Sequence, residues 1–456
     1  MRVPVPEEIL AAERLGRVHL VGIGGAGLSG IARLMLARGI EVSGSDGTAS
    51  ASLDSLRAQG VTVHVGHDAA NLSHLEAGDT VVVSTAIPDT NPEYLEAQAR
   101  GLRVLPRSAA LAALMVGRRV VAVAGTHGKT TTTSLLTVAL QSAGADPSYA
   151  IGGDLAATGV NAAQGSSDLF VAEADESDGA FLVYRPFGAI ITNVDADHLD
   201  YWSTEDAYAA GFVAFAGNID PGGFAVCCID DAGAARVAGH ATDAGVRVVT
   251  VSTRDPGADV VPADLEGIEL WAPGEHYLTD ALAAYAAGLE LGCDPALLRA
   301  GLASYTGTRR RMELKGEAVG VRVYDSYAHH PAEIAGDLQS ARVLAHGGRL
   351  VVAFQPHLVS RTQALGSAMG QALGAADAVV VTDIYLAREQ PDPTVTGALV
   401  ADAVPVPTRF VPELADVAGA LADLAEPGDL VLTLGAGDIT SVGPEVLRLL
   451  EERRED

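Results

Sequence analysis

Short runs of β-branched and apolar residues alternate with Ala- and Leu-rich stretches along the whole chain of 456 residues. Runs such as 118–124 and 188–194 have the composition of buried strands, whereas 129–144 has that of a helix. A strand that is followed by a helix returns to pair with its neighbour in parallel, which produces α/β sheets. The sequence therefore predicts an α/β fold. Three separable series of this kind predict three domains, at residues 1–110, 111–305 and 306–456.

The charge balance argues against one class of partner. The chain has 30 Lys and Arg against 58 Asp and Glu, a formal net charge of −28, and its only lysines are Lys129 and Lys315. Binding to nucleic acid depends on clustered cations, so no nucleic-acid partner is expected. The N-terminal segment lacks the apolar core of a signal peptide, and no apolar run approaches the length of a membrane helix. The sequence predicts a cytoplasmic protein without membrane insertion and leaves the oligomeric state unknown.

The first glycine loop follows a predicted strand at 17–21 and satisfies the pattern G-x-G-x-x-G with Gly22, Gly24, Gly25, Ala26 and Gly27. Glycines let backbone N–H groups approach a pyrophosphate at the N-terminus of the next helix. Asp46 ends the second strand, close to where a dinucleotide-binding fold places its ribose carboxylate. From these residues alone the loop fits NAD, another diphosphate ligand or a tight structural turn.

The second glycine loop is a shortened variant of the P-loop, because Val123 stands where the longer motif has its first glycine. In such a loop backbone amides surround the phosphates, Lys129 reaches the β and γ oxygens and Thr130 can ligate Mg²⁺. Arginine cannot replace a point charge in a tight loop, so the presence of one of the two lysines here supports this interpretation. The predicted nucleoside triphosphate site consists of Gly125, Thr126, His127, Gly128, Lys129, Thr130 and Thr131.

Polar side chains follow the next two apolar runs of this series. Glu173, Asp175 and Glu176 come after the run LFVA, and they are candidates for the metal carboxylate that a P-loop enzyme needs. His198 follows the next strand beside two aspartates. A lone histidine is more often structural, but these neighbours favour a metal or phosphate site.

The third series carries further candidates at the ends of its strands. The segment YAHHP at 327–331 follows a strand, where a loop of an α/β sheet binds ligand, and Gln355-Pro356-His357 and Arg361 follow the next one. The cluster Arg309–Arg311 fits either a solvated linker or a cation that reaches a phosphate when domains close. His67, in VGHDAANL, is a further candidate.

Together these motifs resemble the Mur ligases. The segments that carry the resemblance extend in order from about residue 17 to about residue 440, and they are GIGGAGLSGIA, SGSD, GHDAANL, STAIPDTNPE, GTHGKTTT, EADESDGAFL, TNVDADHLD, YAHHPAEI and FQPH. Within the family they are most similar to the branch that adds the first amino acid of the peptidoglycan stem.

The resemblance implies an N-terminal Rossmann-like domain that binds a UDP-sugar rather than NAD, a central P-loop ATPase-like domain and a C-terminal Rossmann-like domain for the amino acid. It implies a ligase that joins L-alanine to the carboxylate of UDP-N-acetylmuramic acid through an acyl phosphate, with ATP and Mg²⁺ as cofactors.

The resemblance also implies roles for individual residues. The UDP-sugar would contact Gly22, Gly24, Gly25, Ala26, Gly27, Ser29, Asp46, His67 and Ser84. ATP would contact the P-loop residues with Asn193 and, beside the adenine, His276, and Mg²⁺ would be held by Thr130, Glu173 and His198. The amino acid would contact Tyr327, His330, His357 and Arg361. The catalytic groups would be Lys129, Glu173, His198, Arg310, Arg311 and His330.

Five positions depart from the family's pattern, and the mildest departure is Met312, which replaces the phenylalanine of R-R-F. Tyr277 and Asp280 replace the asparagines of H-N-x-x-N, Ser326 replaces the aspartate directly before the tyrosine of the YAHHP segment, and Leu358 replaces the arginine of Q-P-H-R. These departures leave two alternatives open. One is a paralogous Mur-type ligase with another acid or amine, and the other is a catalytically impaired homologue that binds the ligands.

Overall fold

The computed structural model describes residues 3–387 and 389–455. Within them three sheets form, and helices connect the strands, which confirms the predicted α/β class. By spatial clustering the described residues form two compact units. The first contains the residues up to Glu269 together with Leu278–Thr306, and the second contains Leu270–Tyr277 and the residues from Gly307 onward. The predicted domain ranges stay predictions, although the first sheet ends before residue 107 and the second begins at Arg119.

The first sheet is built from residues 18–106. Its strands are β1 (Val18–Val21), β2 (Val42–Asp46), β3 (Thr62–Val65), β4 (Thr80–Val83) and β5 (Arg103–Pro106), and its helices are α1 (Ala26–Ala37), α2 (Ala51–Ala58), α3 (Pro92–Ala99) and α4 (Arg107–Met115). The strand order is β3-β2-β1-β4-β5, and every neighbouring pair is parallel. Strand β1 is buried along its length, as expected for the centre of a parallel sheet. Strands β2 and β4 lie on opposite sides of β1, so the order of the strands reverses there and a crevice opens at the carboxyl end of β1, where the loop 22–27 begins.

The second sheet belongs to the same unit. Its strands are β6 (Arg119–Ala124), β7 (Ser148–Ala150), β8 (Ala162–Ala163), β9 (Leu169–Glu173), β10 (Gly188–Ile191), β11 (Phe224–Cys228) and β12 (Arg247–Val251), and the helices that follow are α5 (Lys129–Ser142), α6 (Leu199–Trp202), α7 (Glu205–Ala216), α8 (Ala232–Asp243), α9 (Glu275–Glu290) and α10 (Pro295–Ser304). The order is β12-β11-β10-β6-β9-β7-β8, with β7 and β8 antiparallel. Strands β9 and β10 flank β6, so the residues that follow them converge on the loop after β6.

Helix α5 is buried although its sequence is rich in threonine. The hydroxyls of Thr133, Ser134 and Thr137 donate to carbonyl oxygens one turn earlier, at 2.7–2.8 Å. Because buried hydroxyls cost free energy only when they lack a partner, this pairing lets a polar helix pack inside the unit. The P-loop therefore leads into a buried helix whose hydroxyl groups are hydrogen-bonded within the helix itself.

The second unit contains the third sheet. Its strands are β13 (Glu313–Ala318), β14 (Val321–Ser326), β15 (Leu350–Phe354), β16 (Ala378–Val381), β17 (Thr408–Phe410) and β18 (Leu430–Leu434), and its helices are α11 (Pro331–Leu344), α12 (Val359–Leu373), α13 (Ala398–Ala401), α14 (Leu414–Leu424) and α15 (Val442–Glu455). The order is β13-β14-β18-β15-β16-β17, and β13 pairs antiparallel with β14 in a hairpin. The carboxyl ends of β14 and β15 lie on either side of β18 and carry the motifs at 327–331 and 355–357.

No helix in the described ranges has both the length and the apolar character that crossing a membrane requires.

Candidate active site

The glycine loop after β1 is held by the carboxylate that ends β2. The backbone N–H of Gly24 donates to Asp46 Oδ2 at 2.9 Å, so the two parts of the predicted UDP-sugar site lie together. Ser84, after β4, packs beside Gly22. Ser29 is also near the loop, but it is buried in α1 and its hydroxyl donates to the carbonyl of Ala26 at 3.1 Å.

His67 contacts a buried carboxylate that was not predicted from the sequence. Its Nδ1 lies 3.0 Å from Glu93 Oε2, and Glu93 is completely buried in α3. Glu93 also accepts hydrogen bonds from Ser45 at 2.5 Å and from Asn71 at 2.6 Å, and His19 Nε2 lies 3.5 Å away. Burial raises the pKa of Glu93, but the His19 imidazole and the hydrogen bonds from Ser45 and Asn71 lower it further, to about 2.

Arg107, the first residue of α4, is a second site residue without a signal in the sequence. Its guanidinium fills the space beside Gly27, where Nη1 would lie 2.9 Å from a Cβ atom. The same side chain donates to Asp175 Oδ2 at 2.8 Å. Burial raises the pKa of Asp175, but Arg107 and Lys129 lower it well below its usual range. An ion pair therefore connects the first glycine loop with the acidic segment after β9.

The P-loop packs against the residues that follow β10. The backbone N–H of His127 donates to Asn193 Oδ1 at 2.8 Å, and that of Thr126 donates to the Asn193 carbonyl at 3.1 Å. Gly128 has φ +83°, and a Cβ there would lie 2.5 Å from Asp280 Oδ1. Only glycine tolerates both conditions, which explains the glycine before the lysine. Asn193 thus shapes the loop as well as lying at its edge.

Lys129 is held by a carboxylate three residues beyond the strand end. Its Nζ lies 2.8 Å from Glu176 Oε2 and donates to the carbonyls of Gly125 and Thr126 at 2.6 and 3.0 Å. Burial lowers the pKa of Lys129, but the nearby carboxylates, above all Glu176, raise it more, so the amine stays charged. Burial raises the pKa of Glu176 although Lys129 opposes this. A triphosphate would meet a lysine that is already oriented and charged.

Two oxygen donors suited to Mg²⁺ lie side by side. Thr130 Oγ1 donates to Glu173 Oε2 at 2.9 Å, and this carboxylate also accepts from the backbone N–H of Gly152 at 2.7 Å. Magnesium prefers carboxylate and hydroxyl oxygens with water completing its shell, so this pair fits the ion. His198 Nε2 lies 3.9 Å from Glu176 and 3.6 Å from Asp197, and its backbone adopts φ +54°.

Asp280 lies against the P-loop helix. Thr132 Oγ1 donates to Asp280 Oδ1 at 2.9 Å, and the carboxylate is buried. The departure from asparagine therefore places a carboxylate at the start of α5, where the helix N-terminus favours negative charge.

In the second unit, two of the predicted catalytic arginines converge on Tyr327. Their guanidinium carbons lie 4.8 Å (Arg310) and 5.3 Å (Arg311) from the centre of its ring. Arg310 has φ +61° and donates to the Gly435 carbonyl. The fully buried Asp325, which accepts hydrogen bonds from two threonines, lies 3.5 Å from Arg310 Nε and orients it.

The predicted amino-acid residues surround the ends of β14 and β15. His330 is the N-cap of α11 and is buried. His357 stacks on Tyr385 with ring centres 5.8 Å apart, and the His329 ring lies edge-on to His357 at 5.7 Å. A cavity of about 360 Å³ opens beside Tyr385, and its lining includes Gln355, Thr382, Asp383, Pro412 and Asp438. Sequence reasoning missed Tyr385 because it follows the next strand of the same series, β16, and no recognisable motif marks it.

Comparison with known proteins agrees with this architecture. Residues 17–119, 123–288 and 310–437 match models of the Mur ligase family that are described as its catalytic domain, its middle domain and its glutamate ligase domain. The UDP-N-acetylmuramate–L-alanine ligase of Nocardioides sp. (strain ATCC BAA-499 / JS614) is 69% identical over 454 residues, which cover 99% of this chain and 100% of that protein. The ligase of the same name from Mycobacterium tuberculosis (strain ATCC 25177 / H37Ra) is 48% identical over 472 residues, 96% of each chain.

Solved structures extend the similarity to the tertiary level. The UDP-N-acetylmuramate-alanine ligase MurC from Thermotoga maritima is 26% identical to this chain with a TM-score of 0.80, covering 96% of this chain and 99% of that one. A murein peptide ligase from Psychrobacter arcticus 273-4 is 25% identical, with a TM-score of 0.72 and coverage of 96% and 99%. Family models, close relatives and solved structures all span the three sheets, and the chain belongs to the Mur ligase family.

Proposed function

We propose that this chain joins L-alanine to the carboxylate of UDP-N-acetylmuramic acid, with conversion of ATP to ADP and phosphate, in the cytoplasmic synthesis of peptidoglycan precursors. The observation that carries this proposal is the pair of phosphate-binding loops in one unit, at 22–27 and 125–131, joined through Arg107 and Asp175. The relative from Nocardioides, which is 69% identical over its full length, bears the name of this activity.

The chemistry accounts for the two loops. A carboxylate is a poor electrophile, so its oxygen first attacks the γ-phosphorus of ATP, which gives an acyl phosphate and ADP. The amino group of alanine then attacks the acyl carbon, and a tetrahedral intermediate expels phosphate. Lys129 offsets charge on the transferring phosphoryl group, which is where a P-loop lysine acts. Mg²⁺ held at Thr130, Glu173 and His198 would supply further charge neutralisation when bound.

The substrates are assigned to separate sets of residues. The UDP-sugar lies along the loop from Gly22 to Ser29 with Asp46, His67 and Ser84, and Glu93 fixes the imidazole of His67. ATP occupies the P-loop and Asn193, with its adenine beside His276. In the second unit, Arg310 and Arg311 offset the negative charge of the γ-phosphate. The residues that bind alanine are Tyr327, His330, His357 and Arg361.

An assay of phosphate release tests the proposal. Purified protein receives ATP, Mg²⁺ and UDP-N-acetylmuramic acid with each amino acid in turn, and we expect release with L-alanine above all others. Release only with another amine would favour a paralogous ligase, a possibility that Leu358 keeps open because it removes an arginine from the predicted amino-acid pocket. No release with any substrate would support the impaired homologue.

The two lysines provide a matched pair of variants. Lys129→Ala removes the P-loop cation and should lower kcat by about 10²–10³-fold, the scale at which loss of one charge-stabilising group acts. Lys315→Ala removes the other lysine, which pairs with Glu313 on β13, and should leave turnover near that of the wild type. Equal turnover in both variants would contradict the assignment of the ATP site.

A further inference from the structure

A buried aspartate of α11 connects two of the positions at which the chain departs from the family's pattern. Ser326 Oγ donates a hydrogen bond to Asp337 Oδ2, and the Tyr277 hydroxyl donates to Asp337 Oδ1 at 3.0 Å. All three residues are buried and belong to the second unit. The replacements at 277 and 326 are therefore parts of one hydrogen-bonded group.

The hydrogen-bonded group of Tyr277, Ser326 and Asp337 has room for the charge of only one carboxylate. A buried charge is costly unless hydrogen bonds surround it, and two hydroxyl donors satisfy Asp337 here. Ser326 and Asp337 are in direct hydrogen-bond contact, so an aspartate at position 326 would bring two carboxylates together, which repel at this range. The serine permits the carboxylate to come from α11 instead of from the end of β14.

The same carboxylate also faces the segment 270–277. His276 Nε2 lies 3.7 Å from Asp337 Oδ1, and the imidazole packs on Tyr277 with ring centres 3.9 Å apart. The ring of Trp271 also packs edge-on against the ring of Tyr277, with ring centres 5.0 Å apart. Asp337 thus holds the tyrosine on which the imidazole of His276 rests.

We propose that Asp337 is a positioning residue for the nucleotide. It fixes Tyr277, and with it the orientation of His276, so that the imidazole meets the adenine of ATP. In this chain the carboxylate of α11 replaces the one that the family's pattern carries before the YAHHP tyrosine. The inference rests on the proposed function in one respect, the placement of adenine beside His276.

Binding of nucleotides to the full-length protein tests the role of Asp337. Calorimetric titration with ATP and with GTP, both with Mg²⁺, measures the preference for adenine without requiring turnover. Asp337→Asn should weaken ATP binding about tenfold while GTP binding changes by less than about threefold, so the preference for ATP falls. Tyr277→Phe should have the same effect. The double variant should show no additional loss, because both changes break one interaction.

A second aspartate that contacts α11 provides the matched control. Asp377 pairs at 2.6 Å with Arg342, which lies in the last turn of this helix. Asp377→Asn should leave both affinities unchanged. If Asp337→Asn and Asp377→Asn change the two affinities equally, or if Asp337→Asn leaves the preference for ATP intact, the proposal is overturned.

Moving the carboxylate back is the rescue experiment. In the double variant Ser326→Asp with Asp337→Ser, one carboxylate and one hydroxyl remain at the same place, and the preference for ATP should recover to within about threefold of wild type. A double variant with the wild-type melting temperature and no recovery would overturn the replacement of one carboxylate by the other.

The outcomes separate this inference from the proposed function. In one outcome the variants show these shifts in ATP affinity while the wild type releases no phosphate with UDP-N-acetylmuramic acid and L-alanine. That result refutes the proposed function and leaves Asp337 as the positioning residue. Protein that ligates alanine normally while Asp337→Asn keeps full preference for ATP refutes the inference alone.

Discussion

Glu93 should make the stability of the first sheet depend on pH in the acid range. Its carboxylate is completely buried and ionised, and its pKa of about 2 lies below the ordinary value of 4.5. Since each tenfold change in proton affinity corresponds to about 1.4 kcal/mol, ionised Glu93 contributes about 3 kcal/mol to folding at neutral pH. The hydrogen bonds from Ser45 and Asn71 account for a contribution of this size, because each bond to a charged group is worth about 1.5–3 kcal/mol.

The direction of the pH effect follows from the lowered pKa. The folded state holds its proton less tightly than the unfolded state, so the contribution is complete above about pH 4.5 and is lost as the pH falls towards about 2. Glu93→Gln removes the charge at every pH. The variant should therefore be about 3 kcal/mol less stable than wild type at pH 7, and the difference should shrink steadily below pH 4.5.

Urea denaturation from pH 7 down to pH 3 measures this difference. Glu96→Gln is the control, since Glu96 is on the same helix but partly exposed beside Arg100, and its effect should stay within about 0.5 kcal/mol. A stability difference for Glu93→Gln that remains constant between pH 5 and pH 3 would refute the ionised state of Glu93. Glu93→Gln should also raise the KM for the UDP-sugar, because His67 loses the group that orients it.

Three further expectations concern residues outside the first sheet's buried carboxylate. Asp280→Asn removes a negative charge beside the P-loop and should tighten ATP binding about fivefold in calorimetry, the effect of roughly 1 kcal/mol of repulsion, and weaker binding would contradict it. Arg107→Gln leaves the half-buried carboxylate of Asp175 without its partner and should lower the free energy of unfolding in urea by about 0.5–1 kcal/mol, whereas an unchanged midpoint would show that the ion pair carries no stability. Burial raises the pKa of the Cys227 thiol to about 12, so iodoacetamide at pH 8 should label the partly exposed Cys293 first, as read by peptide mass spectrometry; equal labelling would show that Cys227 is accessible.

The sequence predicted the strands that have clear apolar runs and missed those that lack them. Strands β1, β6 and β10 lie within their predicted segments because a buried parallel strand is apolar on both faces. Strand β13 was missed because it is polar and half-exposed at a sheet edge, and β8 because it has only two residues. Such strands form because neighbours in space supply their hydrogen bonds, and the local sequence does not record those neighbours.

In the candidate site, too, the parts made of adjacent residues could be predicted and the contacts between distant residues could not. Both glycine loops could be found from adjacent residues, because the turn, the lysine and the following helix are encoded within about ten positions. The groups that orient them come from elsewhere: Arg107 and Asp175 are 68 residues apart, and Tyr277 and Asp337 are 60 apart. The roles assigned to the individual site residues stay predictions.

The sequence by itself determined the α/β class, the two phosphate-binding loops and the isolated lysine, since periodicity and loop chemistry are local properties. Only the tertiary structure decided which buried carboxylate holds each functional cation, imidazole or hydroxyl. Glu93 and Asp337 occur in helices that look ordinary in the sequence, and Glu176 was a candidate only for the metal; folding gives each its partners. The physical reason is that desolvation makes a charge depend on its neighbours in space, and those neighbours are set by the packing of distant elements.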